Sequence, residues 1–283
     1  DLFQILIHDF PSSANKNHME IVINHAKAAG YRIDIKYFPW DQFPNQVKTT
    51  RDTACLTIFP GRDLTPRELA VLEDVDVPVI LMDKVIAGMP FHGIGTDHEY
   101  GAALAADHLI RQGLKSLGMV VAEPESGANI QARIRGFKHQ VRLAGLGEPV
   151  IFSCHTEHGM FSCDQAYSLI SGILQQGRLG VEGLLVDSTS TVLGLMKALR
   201  EYDIHVPQDV ALIVFGDAPE LSYLHPTLSA VEVDLQSWGV EAVKIANAFR
   251  DGVLEDHPHQ FRALAEVYCR ESSNLIKSEQ PTS

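Results

Sequence analysis

The sequence predicts an α/β protein of two open lobes, each a parallel sheet flanked by helices, on three observations. Short apolar runs of strand length alternate with segments of helical period along the chain. Glycines close several helical segments, and a new apolar run starts soon after each. The 283 residues contain no Pro/Ser-rich linker, and their length suits one large or two medium domains. Strand, helix, strand, helix with short links means parallel sheets covered on both faces.

The strand-like runs fall at residues 3–7, 32–38, 55–59 and 77–82, then at 117–121, 150–152, 183–186 and 210–215. Between them Ile130, Ile134, Phe137 and Val141 recur at helical spacing, so they share one face. Val192, Met196, Leu199 and Tyr202 repeat the pattern, as do Trp238, Ala242, Ile245 and Phe249. Gly30, Gly113 and Gly145 follow helical segments, where a left-handed cap suits glycine. Roughly four or five strand–helix units lie on each side of about residue 96. Two lobes joined without a linker often share a cleft and move by hinge closure.

Composition narrows the function. Lys and Arg number 23 against 36 Asp and Glu, a net charge of −13 that argues against these residues gripping a phosphate backbone. No run reaches ~18 apolar residues, so no membrane-spanning helix is expected, and no secretory leader is expected either. Disorder is expected only at residues 277–283. The four cysteines, Cys55, Cys154, Cys163 and Cys269, form no C-x-x-C pair and fit a reducing cytoplasm. Cys154, His155, His158 and Cys163 cluster within ten residues, but their spacing matches no common zinc pattern. A loop with incidental thiols and imidazoles is the simpler reading, and no metal is expected.

No phosphate loop, nucleophile elbow or H-E-x-x-H is present. Gly93-Ile94-Gly95 opens like a dinucleotide loop but lacks the third glycine, and helix capping explains Ser188-Thr189-Ser190 better than nucleophilic catalysis. Binding chemistry is better represented. In parallel α/β sheets, ligands sit beyond the carboxyl ends of strands. His8, Asp9 and Phe10 follow the first run; Asp83, Asp187 with Ser188, and Asp217 follow later ones, and Arg133 lies early on a helix. Carboxylates, an arginine and an aromatic ring suit a polyhydroxylated or heterocyclic small molecule. Taken singly, each also has an ordinary reading: Ser188 as an N-cap, Arg133 as a surface charge, Phe10 and Phe161 as core.

Six stretches in order resemble the effector-binding core of lac-repressor and purine-repressor (LacI/GalR) type transcription regulators. They are Val77 to Asp83 (family pattern "iPvv-iDr"), and Gly95 to Gly101 with His108 to Gly113 ("v-sDn-xx-G … hLi-x-x-Gh"). Next come Arg133 to Phe137 with Gly145 ("R-x-x-GF … G") and Val206 to Asp217 ("vP-x-DvaviGfD"). Pro226 to Val231 ("PpLTTV") and Cys269 to Ser273 ("ReSt") complete the set. The resemblance runs from about Gln4 to Ser273.

It implies two Rossmann-like lobes of parallel sheet, periplasmic-binding-protein-like (type I), joined by three crossovers. Carried over, residues 1–96 plus 231–258 form the N-terminal lobe, and 97–230 plus 259–276 the C-terminal lobe. It implies ligand contacts at Asp217, as hydrogen-bond acceptor, at Arg133, as a clamp, and at Asp83, as a second carboxylate. Asn17 and His18 would face the ligand from the first helix, and Phe161 would be a lid aromatic; Phe10 and Ser188 complete the expected set. It further implies a homodimer without cofactor that binds a sugar-like effector between its lobes. The dimer would meet operator DNA through a helix-turn-helix headpiece outside these residues. A periplasmic sugar-binding protein shares the fold and is the alternative; an enzyme is not expected. Three departures stand out. Hydroxyls at Ser188-Thr189-Ser190 replace the family's "N-D-x", Phe215-Gly216-Asp217 alters the "G-f-D" order, and Leu228-Ser229-Ala230-Val231 stands for "L-T-T-V".

Overall fold

A computed structural model describes residues 1–8, 13–39, 42–84, 88–122, 124–155 and 162–275. The chain forms two units: Asp1–Asp97 with Asp234–Leu264, and His98–Val233 with the residues from Ala265 onward. The first contains β1 (Leu2–His8), α1 (Ser13–Ala28), β2 (Arg32–Phe38), α2 (Phe43–Gln46), β3 (Thr53–Phe59), α3 (Pro66–Glu73), β4 (Val79–Met82) and β5 (His92–Thr96). The second adds α4 (His98–Arg111), β6 (Leu117–Val121), α5 (Ala128–Leu143), β7 (Val150–Ser153), α6 (Ser162–Gln175), β8 (Gly183–Val186), α7 (Thr189–Glu201), β9 (Ala211–Phe215) and β10 (Ser229–Val233). The chain then returns to the first unit for α8 (Leu235–Arg250) and β11 (Gln260–Ala263), and enters the second again with β12 (Ala265–Tyr268).

Each unit holds one six-stranded sheet, ordered β11-β5-β4-β3-β1-β2 in the first and β12-β10-β9-β8-β6-β7 in the second. All pairs are parallel except β10 with β12. The central strands β3, β6, β8 and β9 are buried along their whole length, as strands covered on both faces must be. Helix faces complete the cores: Ile130, Phe137 and Val141 of α5, and Trp238, Ala242 and Ile245 of α8, are all buried. Helix α3 starts with a reciprocal cap, in which Thr65 accepts from the Glu68 N–H and Glu68 accepts from the Thr65 N–H.

The boundaries differ from those carried over from the family. Val231 pairs with Phe215, so residues 231–233 stay in the second sheet as part of β10. Residues 260–263 run parallel to β5 as the edge strand of the first sheet, so 259–264 belong to the first unit. A strand hydrogen-bonded along its length cannot change unit midway; the crossovers therefore fall after Val233 and Leu264. Gly93-Ile94-Gly95 is buried strand β5 and not a phosphate loop. Residues 277–283 lie outside the described residues.

His92 opens β5 and is buried, its Nδ1 accepting the His259 N–H at 2.9 Å. Burial, and then the charge of His259, push its pKa down to about 4 from 6.5. The fold thus favours the neutral ring. Its contribution is complete above pH 6.5 and is lost as pH falls from 6.5 towards 4, reaching about 2 kcal/mol by pH 5. Melting curves between pH 7.5 and 4.5 should show this slope, and His92→Gln, which keeps an acceptor but no titration, should flatten it.

Candidate functional site

An organised group of polar side chains lies at the carboxyl ends of the second sheet. Asp187, fully buried, follows β8, and its Oδ2 accepts the Ala122 N–H just beyond β6 at 2.8 Å. The carboxylate therefore ties two adjacent strand ends together. Above it lies Arg133 of α5. Its Nη1 donates to the Asp187 carbonyl, its Nε donates to His98 Nδ1 at 3.2 Å, and the guanidinium covers the Phe215 ring at 3.9 Å. A cation over an aromatic face gains about 0.5–2 kcal/mol. The buried His98 ring also packs against Phe215, with centroids 5.6 Å apart.

Two glycines create this arrangement. A Cβ on Gly136, one helical turn beyond Arg133, would lie 1.9 Å from the Glu99 carbonyl, so only glycine lets α5 approach the start of α4. A Cβ on Gly101 would touch the Phe215 ring at 3.0 Å, so glycine also makes room for that ring. Close helix contact thus sets Arg133 beside His98.

Ser188 continues directly from Asp187 and caps α7, its Oγ accepting the Thr191 N–H at 3.2 Å. The structure thus brings Arg133 and Ser188 to one strand end. Asp217 is turned elsewhere. Its two carboxylate oxygens accept from Arg270 at 2.9 and 2.6 Å, and the same Arg270 Nη1 donates to Leu228 O at 2.7 Å. The open acceptor implied by the resemblance is already engaged by an intramolecular guanidinium. The exchanged order in Phe215-Gly216-Asp217 is the local cause, because Gly216, at φ +88°, turns the chain before the carboxylate.

In the first unit, Asp83 follows β4 in the left-handed region at φ 55°, and the next residue, Lys84, is buried and pairs with Asp63 at 2.7 Å. Asn17 is exposed on α1, whereas half-buried His18 meets Trp238 edge-on with centroids 5.0 Å apart. Phe10 and Phe161 lie outside the described residues. So does His158 of the Cys/His cluster, and among the described residues no group of three or more His, Cys, Asp or Glu is placed to hold a metal. Burial, with Asp187 and Glu125 adding, pushes the Cys154 thiol up to about 12, far from the thiolate that metals bind. His98, Phe215 and Arg270 were not singled out in the sequence. His98 stands at the asparagine of the "sDn" pattern, which is the one local signal it carried.

Residues 106–273, more than half of the chain, match the periplasmic binding protein-like domain family. The chain belongs to that family. Its relatives bear out the resemblance to LacI/GalR-type regulators. It is 30% identical over 159 residues to the HTH-type transcriptional repressor MelR of Bacillus subtilis, covering 55% of this chain and 45% of MelR. It is 23% identical over 184 residues to the HTH-type transcriptional regulator GalR of Streptococcus thermophilus, covering 64% and 54%. The chain thus spans about half the length of the curated relatives it matches. Among solved structures, a LacI family transcriptional regulator from Enterococcus faecium with bound ribose superposes with a TM-score of 0.81 at 18% identity, over 98% of this chain and 100% of that one. The transcription regulator CcpA of Lactococcus lactis gives 0.79 at 17%, over 97% and 100%. These likenesses establish the fold. Among the described residues, no helix is long and apolar enough to cross a membrane.

Proposed function

We propose that this chain is the effector-sensing and dimerisation core of a ligand-responsive transcription regulator, of the repressor type. It binds a sugar or sugar derivative at the carboxyl ends of its strands, with Arg133, Ser188 and Asp83 among the contacts. Asn17, His18, Phe10 and Phe161 remain further contacts in this proposal. Asp217, paired with Arg270, anchors the segment after β9. The observation that carries the reading is Arg133, held by His98, the Asp187 carbonyl and the Phe215 ring at the strand ends where such folds take ligands. The ribose bound to the Enterococcus faecium regulator supports a sugar as the ligand class. Relatives described as HTH-type regulators support the regulator over the periplasmic alternative.

In this reading a homodimer in the cytoplasm meets operator DNA through a helix-turn-helix segment outside these residues. The effector biases that binding by about 1–3 kcal/mol, and the chain does no catalysis. Calorimetric titration with ribose and a panel of pentoses, hexoses and their phosphates tests the proposal. A binding sugar at a hundred times its Kd should add about 2.7 kcal/mol to stability. Failure of every sugar to bind, or chemical conversion of one, would overturn it.

A further inference from the structure

We propose that His98 is a positioning residue that fixes the guanidinium plane of Arg133, an inference that rests on the reading of Arg133 as an effector contact. A guanidinium carries five N–H donors in one plane, and arginine keeps its charge in proteins. The hydrogen bond between Arg133 Nε and His98 Nδ1, 3.2 Å long, therefore has the arginine as donor. His98 must accept through a lone pair on Nδ1, which only the neutral Nε2–H tautomer offers.

The geometry gives this bond leverage. Nη1 is committed to the Asp187 carbonyl, and the cation lies over the Phe215 ring at 3.9 Å. The hydrogen bond at Nε adds a fixed point on the guanidinium beyond the Nη1 contact and the ring, and so helps set the direction of its N–H groups. His98 is a firm anchor for the purpose. It is the first residue of α4, only 7% exposed, and its ring is tilted 31° against Phe215. Its neighbour Glu99 is the residue against which Gly136 of α5 packs. Backbone and side chain of the two helices therefore converge on the same bond.

Two substitutions separate the acceptor from the ring. His98→Asn keeps an acceptor near the place of Nδ1 and removes the ring; His98→Phe keeps the ring and removes the acceptor. In 15N-labelled wild-type protein, we expect a coupling across the hydrogen bond between Arg133 Nε and His98 Nδ1. We also expect the Arg133 Nε–H to exchange about ten-fold faster in His98→Phe, and within about three-fold of wild type in His98→Asn. Ribose affinity should follow the same order, with His98→Phe about ten-fold weaker and His98→Asn nearly unchanged.

Absence of the coupling in wild type overturns the proposal even if neither variant folds. So does unchanged exchange in a folded His98→Phe. If Arg133→Ala weakens ribose binding and His98→Phe does not, positioning by His98 fails while the contact stands. If Arg133→Ala binds ribose as wild type does, the contact itself fails, and the coupling still decides the hydrogen bond.

Discussion

Arg270→Ala should destabilise the second unit by about 3 kcal/mol and lower its melting temperature by roughly 6–12 °C. The pair with Asp217 is bidentate, and the two side chains are 21% and 15% exposed, so water replaces little of what is lost. Truncation takes the guanidinium from the Leu228 carbonyl and from the Asp217 carboxylate, which keeps the Ala218 N–H but loses its countercharge, and such a change is costly. The pair also joins the segment after β12 to the segment after β9, 53 positions away in sequence. Asp217→Asn combined with Arg270→Gln removes both charges and should recover a good part of the loss in a double-mutant cycle. Equal losses for the single and double variants would mean that the pair contributes shape and no charge compensation. Separate melting of the two units would make the second transition the one to follow.

Gly136→Ala should cost at least about 3 kcal/mol, at the upper end of overpacking effects. In an ordinary helix the same change gains up to about 1 kcal/mol. Here the new methyl would stand 1.9 Å from the Glu99 carbonyl and 2.7 Å from its carbon, both in helix backbone. Neither atom can rotate away, so α4 and α5 must part. Because Arg133 sits one turn before Gly136 and His98 one residue before Glu99, the separation also lengthens the Arg133–His98 bond. Chemical denaturation should therefore show a lower midpoint, and sugar binding should weaken with it. Gly194→Ala is the matched comparison: its Cβ would stand 1.9 Å from the Cys163 carbonyl between α6 and α7. It should lose stability comparably without touching Arg133.

Much of this architecture was legible in the sequence because it is periodic. The α5 face from Ile130 to Val141 and the buried runs of β3, β6, β8 and β9 follow from spacing and apolar content alone. Strand β5 was not, since His92-Gly93-Ile94-Gly95-Thr96 has little side chain to form a pattern. Strand β11, Gln260 to Ala263, is a short polar edge strand, and only its pairing with β5 assigns it to the first sheet. The site divides similarly. Arg133 and Ser188 could be found from a motif and a strand end, whereas His98 reads locally as a helix-start histidine. Asp217 looked like an open acceptor because nothing in the "ReSt" stretch that holds Arg270 points to a partner 53 positions away. Such long-range pairs come from topology, which a linear pattern does not contain.

The claim at the centre is that Arg133 takes the effector at the strand ends of the second sheet. The most direct measurement repeats the sugar titration on Arg133→Ala, with His92→Gln as a control in the other unit. Loss of a charged hydrogen-bond donor predicts affinity lower by about ten- to a hundred-fold in Arg133→Ala and unchanged in His92→Gln. Equal affinity of wild type and Arg133→Ala would contradict it.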